Sequence, residues 1–202
     1  MISDHKIRWR LKPAIWLLSL APLVWLAWLA LYGGLGANPI EFTNRYLGDW
    51  AIRMLLLALA ATPLRLLTGW NQVLLLRRLL GLFAFFYATL HLSSYICLDQ
   101  FFDWAEIWKD ILKRNYITVG IINFVILLAL AVTSTAGMVR RLGGRRWIRL
   151  HKLVYVAGLG SAVHFVMMRK GFQIEPLVYG AVTVALLAAR AGVTLKSTPK
   201  GS

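Results

Sequence analysis

At 202 residues, 59% hydrophobic against 15% charged and a mean hydropathy of +0.64, the chain lies far from the roughly 45–50% apolar and 25% charged of soluble domains. Disorder is excluded, and lipid is left as the main solvent. A net charge of +15, from 23 Lys and Arg against 8 Asp and Glu, would raise nucleic acid in a soluble protein; here cytoplasmic loops and anionic lipid account for it, and no nucleic-acid partner is expected.

A bilayer core takes about 20 mostly apolar helical residues. Six such runs occur, at about Pro13–Tyr32, Asp49–Leu67, Leu79–Leu98, Ile117–Gly137, Leu150–Met168 and Pro176–Gly192. They predict an all-α membrane protein: one integral membrane domain over 1–202, a six-helix transmembrane bundle with short cytoplasmic tails at 1–12 and 193–202. The first run exceeds the roughly 7–15 residues of a signal-peptide core and precedes further spans, so it reads as a retained helix. Residues 33–48, with Gly, Pro and Asn, read as a loop. The connection from Asp99 to Tyr116 is amphipathic and reads as a short helix on the outer leaflet.

Orientation follows the basic residues. With a cytoplasmic N-terminus, the inner segments hold Lys6, Arg8, Arg10, Lys12, Arg65, Arg77, Arg78, Arg140, Arg141, Arg145, Arg146, Arg149, Lys152, Arg190, Lys196 and Lys200, or 16 of the 23. Both termini are then cytoplasmic. Trp25, Trp28, Trp50, Trp104 and Trp108 fall at the outer boundary and Trp9, Trp70 and Trp147 at the inner one, as interfacial anchors would. Cys97 is the sole cysteine, which excludes an internal disulfide and a thiolate metal cluster. No phosphate loop or dinucleotide fingerprint joins a strand to a helix.

Ionisable groups at membrane depth are costly and mark function. His5 belongs to the basic N-terminal segment. His91 lies 13 residues beyond Arg78 and His164 lies 13 beyond His151, a rise of about 20 Å in each case, so His91 and His164 sit at one level toward the outer leaflet. Two imidazoles at one depth on two helices can be the axial ligands of a haem. Ala88, Ala84 and Gly81 before His91, and Gly160, Ser161 and Ala157 before His164, leave room for the macrocycle. The competing reading is plain interhelical hydrogen bonding, with Tyr87, Ser94 and Tyr95 near His91. His151 could ligate a second haem near the cytoplasmic face, but Arg77 and Arg78 stand where its partner is needed, and on a straight helix it lies about 140° round from His164. Arg77, Arg78 and His151 are alternatively a cationic site for a flavin phosphate or a quinone oxygen. Asn123 and Thr133-Ser134-Thr135 read as hydrogen-bonding groups between helices.

These strings, taken in order, resemble the MsrQ family, the haem-binding membrane subunits of the bacterial MsrPQ system that repairs oxidised periplasmic proteins. The resemblance rests on Gly33-Gly34-Leu35-Gly36-Ala37-Asn38-Pro39, Ala61-Thr62-Pro63-Leu64, Arg77-Arg78-Leu79-Leu80-Gly81-Leu82, Leu90-His91-Leu92-Ser93-Ser94-Tyr95, Thr133-Ser134-Thr135 and Trp147 to Tyr155. It implies a reduced relative of the ferric reductase-like transmembrane domains, in which two helices each carry two ligand histidines. With Arg in the fourth position, it implies one complete bis-histidine haem b held by His91 and His164, and leaves His151 as a ligand without a partner. It further implies residence in the bacterial inner membrane and electrons from the quinone pool or a cytoplasmic flavin reductase, with a bound FMN as one route. The acceptor would be the periplasmic molybdopterin subunit MsrP, which itself reduces methionine sulfoxide. Two other functions compete: a stand-alone metal or oxygen reductase, for which the chain lacks a soluble flavin and nucleotide domain, and a transporter or proton channel using His91 and His164 as relays, for which no acid lies mid-span.

Overall fold

The structure, a computed structural model, describes residues 11–169 and 173–196. His5, Lys6, Arg8, Trp9 and Arg10, and Lys200, lie outside the described residues. The elements are α1 (Lys12–Leu31), α2 (Pro39–Thr68), α3 (Val73–Ser94), a π-helical turn (Tyr95–Asp99), α4 (Trp104–Lys113), α5 (Asn115–Val132), α6 (Ala136–Leu142), α7 (Gly144–His151), α8 (Leu153–Met168) and α9 (Ile174–Lys196). Among the described residues, five segments are long and apolar enough to cross a membrane: Lys12–Leu31, Pro39–Thr68, Val73–Asp99, Asn115–Val132 and Gly144–Met168. The 23-residue α9 packs along α8 and α2 as the sixth long helix of the bundle.

Three boundaries differ from the sequence reading, each for a local reason. First, α2 starts ten residues before Asp49: Asn38 caps it, its Oδ1 accepting from the Glu41 amide at 3.2 Å and its Nδ2 donating to the Glu41 carboxylate at 3.0 Å, with Pro39 in the first turn, where its missing N–H costs nothing. Only residues 32–38 remain as loop. Second, α5 ends at Val132 because the run of hydroxyls breaks it. Thr133 and Ser134 bond back to the carbonyls of Ala129 and Leu130, and Thr135 caps α6 through the Met138 amide. Third, a one-residue turn at Lys152, itself still in right-handed helical conformation, divides the fifth span into α7 and α8.

α2 and α3 form an antiparallel hairpin closed by Gly69, whose φ of +69° supplies the left-handed residue that ends α2 and whose amide meets the Arg65 carbonyl at 2.8 Å. α5 and α8 form a second antiparallel pair, and α3 meets α5 while α2 meets α8. α1 lies outside these four, held by two phenols: Tyr87, fully buried, donates to the Ser19 carbonyl at 2.6 Å, and Tyr46 donates to the Pro22 carbonyl at 3.0 Å. The core runs through Leu55, Leu59, Phe83, Ala84, Tyr87 and Ala157, while Leu18, Val24, Leu31 and Leu67 stand well exposed, as side chains solvated by lipid would. Trp50, expected at the outer boundary, instead turns into the bundle beside Tyr46 and Tyr87.

The amphipathic connection is α4, and it has three faces. Ile107 and Asp110 are buried, Trp104, Trp108 and Leu112 form an exposed apolar stripe at i, i+4, i+8, and Lys109 pairs with Glu106 at 2.6 Å on the polar side.

Candidate functional site

The four central helices enclose a cavity of about 440 Å³, and both His91 on α3 and His164 on α8 line it. The two rings face each other with centroids 6.2 Å apart and planes at 76°. Each is oriented by a helix other than its own. His91 Nδ1 lies 2.9 Å from the Asn44 carbonyl oxygen of α2, and His164 Nδ1 lies 2.7 Å from the Tyr116 carbonyl oxygen of α5. A carbonyl only accepts, so each Nδ1 carries the proton and each Nε2 keeps its lone pair. The neighbours expected to satisfy His91 are otherwise engaged: Ser94 donates to the His91 carbonyl at 2.8 Å, Tyr95 to Asp110 at 2.9 Å and Tyr87 to Ser19.

Glycine makes this approach possible. One turn after each accepting carbonyl stands Gly48 or Gly120, and a β-carbon there would lie 3.2 Å from His91 Cε1 or 2.9 Å from His164 Cε1.

The donor set fits a haem. Among the described residues no three His, Cys, Asp or Glu side chains gather around one point, so the two imidazoles suit a metal that brings its remaining ligands with it. Two metal–imidazole bonds of about 2 Å, plus about 1 Å to each ring centre, span about 6 Å, which is the separation found here. Ile52, Leu55, Phe124, Leu127 and Phe165 give it apolar walls, and of the small residues expected to leave room, Ala88 and Ser161 border the cavity. Ala84 and Ala157, by contrast, are fully buried in helix packing, and Gly160 packs against the Asn123 amide.

One mouth of the cavity is charged. Arg45, Arg114 and Arg169 line it with Glu41, Asp49 and Asp99. Arg45 pairs with Glu41, Arg114 with buried Asp110 at 2.9 Å, and Arg169 with Glu175 at 3.3 Å, while Arg169 Nε is buried without a hydrogen-bond partner. The hydrogen bond to Tyr116 is the largest influence raising the Arg114 pKa, Asp110 adds to it, and desolvation opposes. Asn123 Nδ2, also on the cavity wall, is a second buried donor without a partner.

His151 lies elsewhere, at the end of α7. Its Nε2 is 3.1 Å from Thr133 Oγ1, whose own proton goes to the Ala129 carbonyl at 2.6 Å, so His151 is the donor of that bond. Its ring stacks on Trp147 at 4.0 Å, and Trp147 Nε1 donates to the Thr133 carbonyl at 2.9 Å. Arg77 lies close enough to act electrostatically on His151 and on Arg190, and Arg190 bonds Thr62 Oγ1 at 2.9 Å and covers the Tyr155 ring at 4.9 Å. Arg78 is on another face: it lines a separate groove of about 610 Å³ with Lys12, Trp16 and Leu79. The structure thus brings His91 to His164 and Arg77 toward His151, and parts Arg78 from both.

Sequence reasoning missed Asn44, Gly48, Tyr116, Gly120, Arg169 and the inward role of Arg190. A signal for the first four was present. The accepting carbonyls precede their histidines by 47 and 48 residues, with a glycine four residues after each.

The chain is similar to known membrane proteins. Residues 47–162 match the family described as ferric reductase like transmembrane component. A protein-methionine-sulfoxide reductase heme-binding subunit MsrQ of Rhodospirillum rubrum is 55% identical over 177 residues, covering 88% of this chain and 85% of the relative. The protein of the same name from Caulobacter vibrioides is 46% identical over 188 residues (93% and 90%), and that of Herminiimonas arsenicoxydans 48% over 183 (89% and 84%).

Proposed function

Because the chain belongs to the MsrQ family of ferric reductase-like transmembrane proteins, we propose that it is the haem b electron-transfer subunit of a methionine sulfoxide reductase system in the bacterial inner membrane, with both termini cytoplasmic. Electrons come from the quinone pool or a cytoplasmic flavin reductase, with FMN as a carrier in the flavin route. They leave to a periplasmic molybdopterin subunit of the MsrP type, where the sulfoxide is reduced. The observation that carries the reading is the facing pair His91 and His164, each with Nδ1 on a backbone carbonyl.

A haem b supplies one-electron exchange between ferric and ferrous iron. The protein's part is to hold it and to exclude competing chemistry. His91 and His164 would hold the haem iron through Nε2, and iron held by two imidazoles would favour electron transfer over oxygen chemistry. The carbonyls of Asn44 and Tyr116 fix both tautomers and make both imidazoles stronger donors. Arg45, Arg114 and Arg169 at the mouth are suited to the carboxylates of the porphyrin, and the orphaned Arg169 Nε supports that role. Isoleucine, leucine and phenylalanine walls exclude water. On the cytoplasmic side, Arg77, Arg190 and His151 form the electron-input group, where guanidiniums would meet a quinone oxygen or a flavin phosphate.

Purified protein reduced with dithionite should show the sharp bands of a six-coordinate b-type haem, and His91→Ala and His164→Ala should each abolish them. An unchanged spectrum in both variants overturns the assignment.

A further inference from the structure

Two glycines lie directly against the rings of His91 and His164. A β-carbon at Gly48 would lie 3.2 Å from both Nδ1 and Cε1 of His91; at Gly120 it would lie 2.9 Å from Cε1, 3.2 Å from Nδ1 and 3.6 Å from Nε2 of His164. Other helical glycines differ. Gly81 and Gly180 have nothing within 4 Å, Gly158 faces Leu59 and Gly160 faces Asn123. The same construction therefore occurs twice: a carbonyl at Asn44 or Tyr116 takes the ring's Nδ1–H, and the residue one turn on lacks a side chain, so the imidazole lies against bare helix backbone.

The neighbour at each glycine is a ring that cannot give way cheaply. Its Nδ1 is tied to the carbonyl, and displacement lengthens that bond while re-aiming Nε2. We propose that Gly48 and Gly120 are positioning residues that set the tilt of the two imidazoles and the strength of their carbonyl bonds, and thereby tune the affinity and midpoint potential of the haem. The inference rests on the haem reading above. Gly120 is the tighter of the two and should be the more sensitive.

The direction follows from ligand chemistry. A hydrogen bond that draws on Nδ1–H makes the imidazole more electron-rich, which favours ferric over ferrous iron; loosening it raises the potential. Loss of an outer-shell partner of a metal-bound histidine typically weakens metal affinity about 10- to 100-fold. If ferric affinity falls ten-fold more than ferrous affinity, the potential rises by about 59 mV for a one-electron couple.

The test uses the full chain in nanodiscs, comparing Gly48→Ala, Gly120→Ala and Gly180→Ala with His91→Ala and His164→Ala. The readouts are reduced-minus-oxidised spectra, redox titration, low-spin ferric EPR and helical circular dichroism. Expected is a raised potential, shifted EPR signals and faster haem loss in Gly120→Ala, the same changes to a smaller degree in Gly48→Ala, and none in Gly180→Ala. Should Gly120→Ala lose helical content, Gly48→Ala decides. If the histidine variants lose haem while both histidine-facing glycine variants keep wild-type potential and EPR signals, positioning is refuted and the haem reading stands. If the histidine variants keep their haem, both fall.

Discussion

Asp110 is the side chain whose loss should most selectively loosen the charged mouth of the site. Its carboxylate is only 8% exposed, and it accepts from the Tyr95 hydroxyl at 2.9 Å and from Arg114 Nε at 2.9 Å. Both partners line the cavity, so Asp110 ties α4 to the mouth. Breaking a buried ion pair by removing one partner ordinarily costs about 3–5 kcal/mol. Arg114 is 52% exposed and can rehydrate, which brings its share into the surface range of about 0–1 kcal/mol. The Tyr95 bond to a charged acceptor retains about 1.5–3 kcal/mol. Asp110→Leu should therefore lower the opening free energy of α4 by roughly 2–3 kcal/mol, or about 30- to 150-fold faster amide exchange across Trp104–Lys113. Asp110→Asn keeps an acceptor for Tyr95 and should cost only about 1 kcal/mol. Hydrogen exchange read by mass spectrometry in nanodiscs measures both. Exchange in α4 that changes less than three-fold, or an equal loss of protection in α2 and α9, refutes the reasoning.

Gly160→Ala forces a β-carbon onto the Asn123 amide and should cost about 1–3 kcal/mol, with most of it regained in the double variant with Asn123→Ala; a thermal melt of each variant checks this, and simple additivity would count against the contact. His151→Ala should leave one haem per chain by pyridine haemochrome assay, because His151 is engaged with Thr133 and Trp147; a wild-type ratio of two that falls to one in the variant would show that it is a ligand. Arg77→Ala should slow haem reduction by quinol or reduced flavin about 10-fold or more, the worth of a charge-assisted hydrogen bond, whereas Arg78→Ala should stay within about two-fold. Equal effects in a stopped-flow assay would remove Arg77 from the input group.

The six long helices were legible because an apolar run of span length has few alternatives in water or lipid. Less visible were features that depend on single local bonds. The early start of α2 hangs on Asn38 and Glu41 within a stretch whose Gly and Pro content reads as loop. The turn at Lys152 between α7 and α8 is announced by no proline or glycine. In the site, the histidines stood out because imidazoles at membrane depth need a reason. Their orienting partners did not, because a backbone carbonyl has no residue identity. Asn44 and Tyr116 matter through atoms that every residue has, and only the recurrent spacing to His91 and His164 marks them. Arg77 and Arg78 are adjacent in sequence, and only the rotation of α3 separates their surroundings.

That recurrence says how the site is assembled. The pair α2–α3 contains one histidine, its carbonyl and its glycine; the pair α5–α8 contains the second set. Each imidazole is thus held in its tautomer and tilt by contacts internal to its own half, and neither needs the other half or an iron to be oriented. What the contact between the halves adds is the distance: α3 against α5 and α2 against α8 bring the rings to 6.2 Å. A site built in this way holds both rings in place before anything binds between them, and such preorganisation would limit the reorganisation spent on binding a haem and on electron transfer through it. It also makes the interface between halves the weak point. A substitution that spreads α5 from α8 disturbs one ligand within its half, whereas one that spreads α3 from α5 leaves both rings well oriented and too far apart to share a metal.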